Sequence, residues 1–410
     1  MKRVLVGMSG GVDSAAAAYL LQKEGYEVCG VTLRTWDAGD GSESRCCEID
    51  DAQRVAHRLG IRHYALNCVA DFSGKVVHPF VLSYLEGQTP NPCIECNRYV
   101  KWEKMLYAAK VMEADYVATG HYAHVVRLAN GRYTVKKAKH AAKDQTYMLY
   151  KLSQEQLAAT LMPLGDYTKE EVRRIALEAG LPVAQKPDSQ EICFVTDGHY
   201  ADFIEQYAEK RNAEQVFEDA DTDWNKDSRC NTDKKENGCS ADSKEIGCST
   251  GSKEIGYNAG SGTDSLKVPG PGFFVDEAGN RLGTHKGITH YTIGQRKGLG
   301  IALGHPIYVK EIRAASNEVV LSDEPALFSR EVLCRDVNFL SIPGMDPGQK
   351  IPAKAKIRYH HQAADALLEM QADGCVRILF DDPVRAAAPG QSAVFYDADD
   401  CVIGGGIIVK

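Results

Sequence analysis

Gly7-Met8-Ser9-Gly10-Gly11-Val12-Asp13-Ser14 follows an apolar run at Lys2–Gly7 and leads into four alanines, Ala15–Ala18. Strand, glycine-rich turn and helix start, in that order, make an anion site. Gly10 and Gly11 let the backbone approach a phosphate, Ser9 and Ser14 bring hydroxyl donors, and the helix start adds free N–H groups at the positive end of its dipole. Asp13 can orient the loop or help to hold Mg²⁺. No GxxxxGK[ST] pattern occurs, so this is not a Walker-type phosphate loop.

Outward from this loop the chain alternates strand and helix. A helical stretch at Ser14–Glu24 precedes an apolar run at Glu27–Leu33. A helical pattern at Asp50–Leu59 leads to Arg62–Asn67, and one at Trp102–Met112 leads to Asp115–Thr119. The rhythm predicts an α/β domain with a doubly wound parallel sheet, whose strand carboxyl ends form the ligand crevice.

The length of 410 residues calls for two or three domains. No stretch nears the roughly 18 apolar residues of a membrane helix, and the apolar run after Met1-Lys2-Arg3 is too short for a signal peptide, so a cytoplasmic protein with no membrane partner is expected. Its 13 cysteines are then mostly reduced thiols. The net charge of −8 argues against nucleic acid only superficially. Residues 208–265 hold 13 acidic and 8 basic side chains, five of the eight net charges, and leave the remainder near neutral.

That segment is poor in large apolar residues and carries a nine-residue period, with Cys230, Cys239, Cys248 and Tyr257 ending successive units. It reads as a disordered low-complexity insert; a cysteine-based metal array would lack paired CxxC spacing and histidines. Beyond it, short β-like runs at Gly272–Asp276, Pro306–Lys310, Lys354–Tyr359, Val376–Phe380, Ala393–Tyr396 and Val402–Val409 predict a small β domain and then a C-terminal β-barrel. The boundaries fall at 1–207, 208–265, 266–325 and 326–410.

Three more segments belong to the α/β half: Thr89-Pro90-Asn91-Pro92-Cys93-Ile94-Glu95-Cys96-Asn97, Thr119-Gly120-His121-Tyr122, and Lys186–Phe194 with its lone Cys193. A CxxC can be half a zinc site or a redox pair. A cysteine thiolate can also carry sulfur as a persulfide, so two cysteines from distant loops beside an ATP site suggest thiolation. Cys46-Cys47 reads as structural. Cys29, Cys68, Cys334, Cys375 and Cys401 read as core, and His360-His361, vicinal on a strand, as RNA or surface contacts. Thr292–Gly300, with Arg296 and Lys297 among glycines, is a surface hairpin or an RNA phosphate clamp.

The Ser9–Ser14 run resembles the loop of N-type ATP pyrophosphatases, which leave AMP on an acceptor oxygen. With Thr89–Asn97, Thr119–Tyr122, Lys143-Asp144-Gln145-Thr146-Tyr147, Lys186–Phe194, Thr292–Gly300, Lys356-Ile357-Arg358-Tyr359 and Pro389-Gly390-Gln391, nearly the whole chain outside the insert resembles the bacterial tRNA-specific 2-thiouridylase family. The resemblance implies an ATP-pyrophosphatase catalytic domain at 1–207 and a sulfurtransferase that uses ATP and Mg²⁺. Such an enzyme adenylates O2 of wobble uridine U34 in the tRNAs for Lys, Glu and Gln and puts sulfur in its place. It implies a persulfide on Cys193, fed by a cysteine desulfurase or sulfur-relay protein, with Cys96 as partner and a Cys96–Cys193 disulfide after transfer. ATP then meets Gly7, Met8, Ser9, Gly10, Gly11, Val12, Asp13, Ser14, Leu33 and Gly120. The tRNA meets Asn91, Pro92, Cys93, His121, Lys143, Asp144, Gln145, Arg358, Tyr359 and Gln391. Some members have Asp, considered an acid/base, where Cys93 stands.

Overall fold

A computed structural model describes residues 1–36, 48–187, 192–195, 199–227 and 265–409. Five parallel strands form the first sheet in the order β3-β2-β1-β4-β7: β1 Arg3–Gly7, β2 Glu27–Arg34, β3 Arg62–Asn67, β4 Tyr116–Ala118 and β7 Thr160–Leu161. β1 is apolar and buried because it lies at the centre of a sheet covered by helices. α1 (Val12–Lys23) and α2 (Ile49–Leu59) follow β1 and β2. The four alanines of α1 are all buried, and their small side chains let α1 lie close to α8 (Lys169–Glu178). Strands β1–β4 and helices α1 and α2 fall within a residue or two of the sequence expectation.

Between β3 and β4 the chain builds a helical run: α3 (Val69–Phe72), a π-type turn at Ser73–Val77, α4 (His78–Leu85), α5 (Pro92–Cys96), a second π-type turn at Asn97–Lys101 and α6 (Trp102–Val111). Trp102, fully buried, anchors it by donating from Nε1 to Thr160 Oγ1 at 2.7 Å. A two-stranded hairpin, β5 (Ala123–Arg127) and β6 (Tyr133–Lys137), and α7 (Gln154–Ala158) precede β7.

The small β domain is a four-stranded sheet in the order β10-β11-β8-β9: β8 Gly272–Val275, β9 Arg281–His285, β10 Tyr308–Arg313 and β11 Glu318–Ser322. A closed six-stranded antiparallel barrel follows: β12 Phe328–Phe339, β13 Lys350–Lys356, β14 Ala364–Met370, β15 Val376–Arg385, β16 Ser392–Tyr396 and β17 Val402–Ile408. Closure leaves no open strand edge.

Met1–Ala201 with Pro269–Lys410 form one compact unit, and Asp202–Val268 a second. Helix α9 runs from Tyr200 to Asp227, past the expected boundary at 207. Ala208, Glu209, Lys210, Arg211, Ala213, Glu214 and Gln215 are strong helix formers, and local propensity continues the helix where an apolar face is lacking. Within the second unit Asn212 grips the returning chain, its Nδ2 donating to Leu266 O at 2.9 Å and its Oδ1 accepting from Leu266 N at 2.7 Å. The repeat cysteines Cys230, Cys239 and Cys248, and Cys46-Cys47, lie outside the described residues.

Two smaller expectations change. β13 ends at Lys356, and His361 N bonds Arg358 O, so His360-His361 stand in a turn and not on a strand. Cys375 is half-buried beside a hairpin turn, its N–H bound by Asp373, whereas Cys29, Cys68, Cys334 and Cys401 are buried as core.

Arg132, on the β5–β6 hairpin, donates from Nε to Leu340 O at 2.8 Å and from Nη2 to Phe339 O at 2.9 Å in the barrel. Arg132→Ala leaves two part-buried carbonyls without that donor and is expected to cost about 1–3 kcal/mol, read from denaturant unfolding.

Candidate active site

The carboxyl ends of three adjacent strands make one crevice. β1 delivers Gly7, β2 delivers Leu33, and β4 delivers Thr119-Gly120-His121. Gly11 caps α1 with an extended backbone and no side-chain cap, which leaves first-turn N–H groups for a ligand. Ser14 ties the loop from inside: its Oγ accepts from Ser9 N at 3.2 Å and donates to Gly11 O at 3.1 Å. Met8 is fixed by its N–H on Val31 O at 2.8 Å and by Thr32 Oγ1 donating to its carbonyl at 2.6 Å.

Two glycines are required sterically. Gly10 has φ +77°, and a Cβ there would sit 2.6 Å from Glu48 O. A Cβ on Gly120 would lie 2.7 Å from Asp13 C and Ser14 N, so only glycine lets the β4 loop touch the start of α1. Asp13, at the head of α1, accepts from Tyr122 OH at 2.7 Å and from Lys169 Nζ at 2.7 and 2.8 Å. Its carboxylate orients the loop. Lys186 bonds Gly10 O at 3.3 Å and pairs with Glu48 and Asp51. The contacts of Tyr122, Lys169, Lys186 and Thr32 to the loop are not legible in the sequence, because each meets it from a distant segment. Lys169 carried only the signal of following a helix cap, Thr168, whose capping box places it in the first turn of α8.

The cysteine loop is held from three sides. Asn91 caps α5 by accepting from Cys93 N at 3.1 Å, and Asn97 donates to Met148 O at 3.0 Å. Thr89 N donates to Pro389 O at 2.8 Å, and Gln391 Nε2 donates to Thr89 O at 2.7 Å, so a barrel loop grips the base of α5. Pro92 and Cys96 are buried, whereas Cys93 is exposed. Cys193 is half-buried and precedes Phe194, whose ring lies 5.6 Å from Phe72, 5.2 Å from Phe80 and 6.0 Å from Trp36. α5 rests on the Ser73–Val77 turn between those same helices. Both cysteine segments therefore lean on one support, Val69–Leu85.

The residues matched to tRNA contacts divide. Asp144 is buried and accepts from Ala138 N at 3.2 Å and Thr146 Oγ1 at 2.7 Å; Gln145 Oε1 accepts from Tyr122 N at 2.9 Å. Arg358 Nη2 donates to Ile293 O at 2.9 Å and Ala386 O at 2.7 Å, which joins the barrel to the small β domain. These polar groups build the site from within. Lys143 is half-buried at the end of a 3₁₀ turn, and Tyr359 is half-buried with Lys356 Nζ 5.4 Å from its ring centre. His121 Nδ1 bonds Thr119 Oγ1 at 2.8 Å beside the Trp102 ring; burial, helped by Lys101, pushes its pKa down to about 3.

Gly120→Ala should push the β4 loop off α1 and slow AMP formation from ATP on the order of a hundred-fold, with circular dichroism unchanged. Neutral His121 gives a second expectation. Its unfolded pKa of 6.5 exceeds the folded one, so stability is lost as pH falls below 6.5, by up to about 1.4 kcal/mol per pH unit. His121→Gln should flatten the fall of the denaturant midpoint between about pH 6.5 and 4.

Residues 2–197 match the tRNA methyl transferase HUP domain, 264–323 the tRNA methyl transferase PRC-barrel domain and 329–408 the aminomethyltransferase beta-barrel domain. The tRNA-specific 2-thiouridylase MnmA of Lachnoclostridium phytofermentans is 45% identical over 417 residues, covering 100% of both chains. That of Acetivibrio thermocellus is 47% identical over 99% of both, and that of Clostridioides difficile 42% identical over 100% of this chain and 98% of its own. An ATP-using HUP domain, a small β domain and a barrel in this order, alike from end to end, make the chain a member of the tRNA-specific 2-thiouridylase family.

Proposed function

We propose that this sulfurtransferase works through Cys96 and Cys193 on U34 of the tRNAs for Lys, Glu and Gln. The observation that carries the reading is that the two cysteine segments, about a hundred residues apart in sequence, rest on the same helical support, Val69–Leu85. U34 O2 attacks the α-phosphate of ATP, pyrophosphate leaves, and AMP on O2 turns a poor leaving group into a good one. The loop Gly7–Ser14 and Gly120 hold the nucleotide. Mg²⁺ enters with the phosphates of ATP, whose charge it shields, while the loop carboxylate Asp13 is paired with Lys169.

A cysteine desulfurase or sulfur-relay protein loads Cys193 as a persulfide. Its outer sulfur attacks C2, and AMP departs with the oxygen. The Cys96 thiolate then attacks Cys193 Sγ, the S–S bond to the outer sulfur breaks, and its electron pair leaves on 2-thiouridine. A Cys96–Cys193 disulfide remains, which a cellular dithiol reduces. Because the cycle needs reduced cysteines at each turn, we assign the protein to the cytoplasm. Asn91, Pro92 and exposed Cys93 border the entry to this chemistry, where a uridine splayed from the anticodon loop reaches C2 at modest cost. His121, Lys143, Asp144, Gln145, Arg358, Tyr359 and Gln391 shape the tRNA side.

The test is thiolation of U34 in an unmodified tRNA-Glu transcript with ATP, Mg²⁺, desulfurase and cysteine. Wild type and Cys93→Ser should form 2-thiouridine, while Cys96→Ser and Cys193→Ser should lose it by at least about a hundred-fold. Product formation by Cys193→Ser at the wild-type rate would rule out the assigned roles.

A further inference from the structure

We propose that Arg296 and Lys297 form a preorganised clamp for the sugar–phosphate backbone of the substrate tRNA, an inference that rests on the tRNA-thiolation reading. The loop that carries them, Thr292–Gly300, belongs to no helix or strand, yet its backbone is tied at Thr292, Gly294, Gln295 and Lys297. Thr292 N donates to Gln295 Oε1 at 3.0 Å, and Gln295 Nε2 donates to Lys297 O at 3.0 Å. Gly294 N donates to Val309 O at 2.7 Å, and Val309 N to Gln295 O at 2.9 Å. Gly294, Gly298 and Gly300 sit at φ +87°, +77° and +68°, where a side chain would be strained, and Ile293 and Leu299 are buried beneath them. The result is a rigid loop with two adjacent cations at its tip. Both are exposed, and neither joins an ion pair among the described residues.

More positive charge stands behind the loop. A Cβ on Gly294 would lie 3.6 Å from Arg385 Nη1 and 3.7 Å from Arg358 Nη2, so the loop is seated against two barrel guanidiniums. Glu324 neutralises Arg385. His361 is held below its ordinary pKa by burial first, and then by Arg358, Arg385 and Lys356. Like charges gathered this closely repel one another, and a polyanion that completes the site offsets that repulsion. No aromatic side chain occurs in Thr292–Gly300, so the loop offers nothing for a base to stack on and fits backbone phosphate instead. A loop already fixed loses little conformational freedom on binding, which distinguishes it from a solvated surface hairpin.

The experiment measures Kd for tRNA-Glu against salt concentration for wild type, Arg296→Glu/Lys297→Glu and Arg296→Gln/Lys297→Gln. Melting temperature and persulfide loading by desulfurase are followed in parallel. Removing two phosphate contacts should reduce the log–log salt slope by about 1.4–1.8 and weaken binding roughly ten-fold or more at low salt, equally for tRNA-Glu and a tRNA of unrelated anticodon. Melting and persulfide loading should stay at wild-type values. The Gln pair keeps the test open if the Glu pair unfolds, since it removes charge without adding repulsion. An unchanged Kd and slope in the Gln pair overturns the proposal. So does intact tRNA binding with lost persulfide loading, which would assign the cations to an acidic face of the sulfur donor. Wild type that binds tRNA yet forms no 2-thiouridine would defeat the proposed function and leave the clamp to be decided by its own binding curves.

Discussion

The cysteine helix and the barrel depend on the seating of Thr146–Tyr150 between the α/β domain and the barrel. Tyr147 OH donates to Ser392 O at 2.8 Å, Tyr150 OH bonds Ser392 Oγ at 3.0 Å, and Thr146 Oγ1 meets Tyr396 OH at 3.2 Å. The rings are fully buried, and Gly405 has no side chain because a Cβ would come 2.7 Å from the Tyr150 ring. Between the two tyrosines, Met148 accepts from Asn97, one residue after Cys96. A single five-residue stretch thus fixes the barrel on one side and the cysteine helix on the other. Loss of either tyrosine would open a cavity at the joint and also free the loop that Pro389 and Gln391 hold at Thr89.

The nucleotide crevice is built differently, by exclusion of side chains. Gly10, Gly120 and Gly30 stand where backbone or Met8 comes too close for a Cβ, the last at 2.4 Å from Met8 Sδ. Close backbone approach concentrates N–H donors where phosphate charge arrives, and Asp13, Tyr122 and Lys169 hold the α1 end of that surface in place. Half-buried Asp13 and buried Lys169 satisfy each other's hydrogen-bonding groups at this joint. Lys169 reaches Asp13 from 156 residues away, so the loop takes its shape only after the sheet and α8 have assembled.

The parallel sheet was legible because βαβ rhythm and the Gly-Ser loop are local signals, and the barrel because its strands are short runs between turn residues. What escaped was set by tertiary contact. Lys169 looks like an ordinary surface residue, and Lys186 and Tyr122 sit in quoted motifs without a partner in view, until the fold brings them to Asp13 and Gly10. The extent of α9 is illegible for another reason: low apolar content predicts loss of order, whereas helix propensity needs no core to act over a few turns. At His360-His361 the reverse holds: the pattern of Lys354–Tyr359 predicts an extended chain, whereas the bond from His361 N to Arg358 O closes a turn.

Several residues that the family likeness associates with tRNA are committed to the protein itself. Asp144 binds Ala138 and Thr146, Gln391 binds Thr89, and Arg358 binds Ile293 and Ala386. A group that already has partners can act on RNA chiefly by fixing what surrounds it. Positioning of this kind matters more for a thiolase than affinity does, because sulfur transfer to C2 tolerates errors well below 1 Å while phosphate contacts are forgiving. The architecture separates the two demands: buried polar struts hold the cysteine helix and barrel in register, and outward cations on rigid turns supply attraction. A polar strut moved to the surface would gain little binding in salt and would lose the low-dielectric setting in which its hydrogen bonds are strongest.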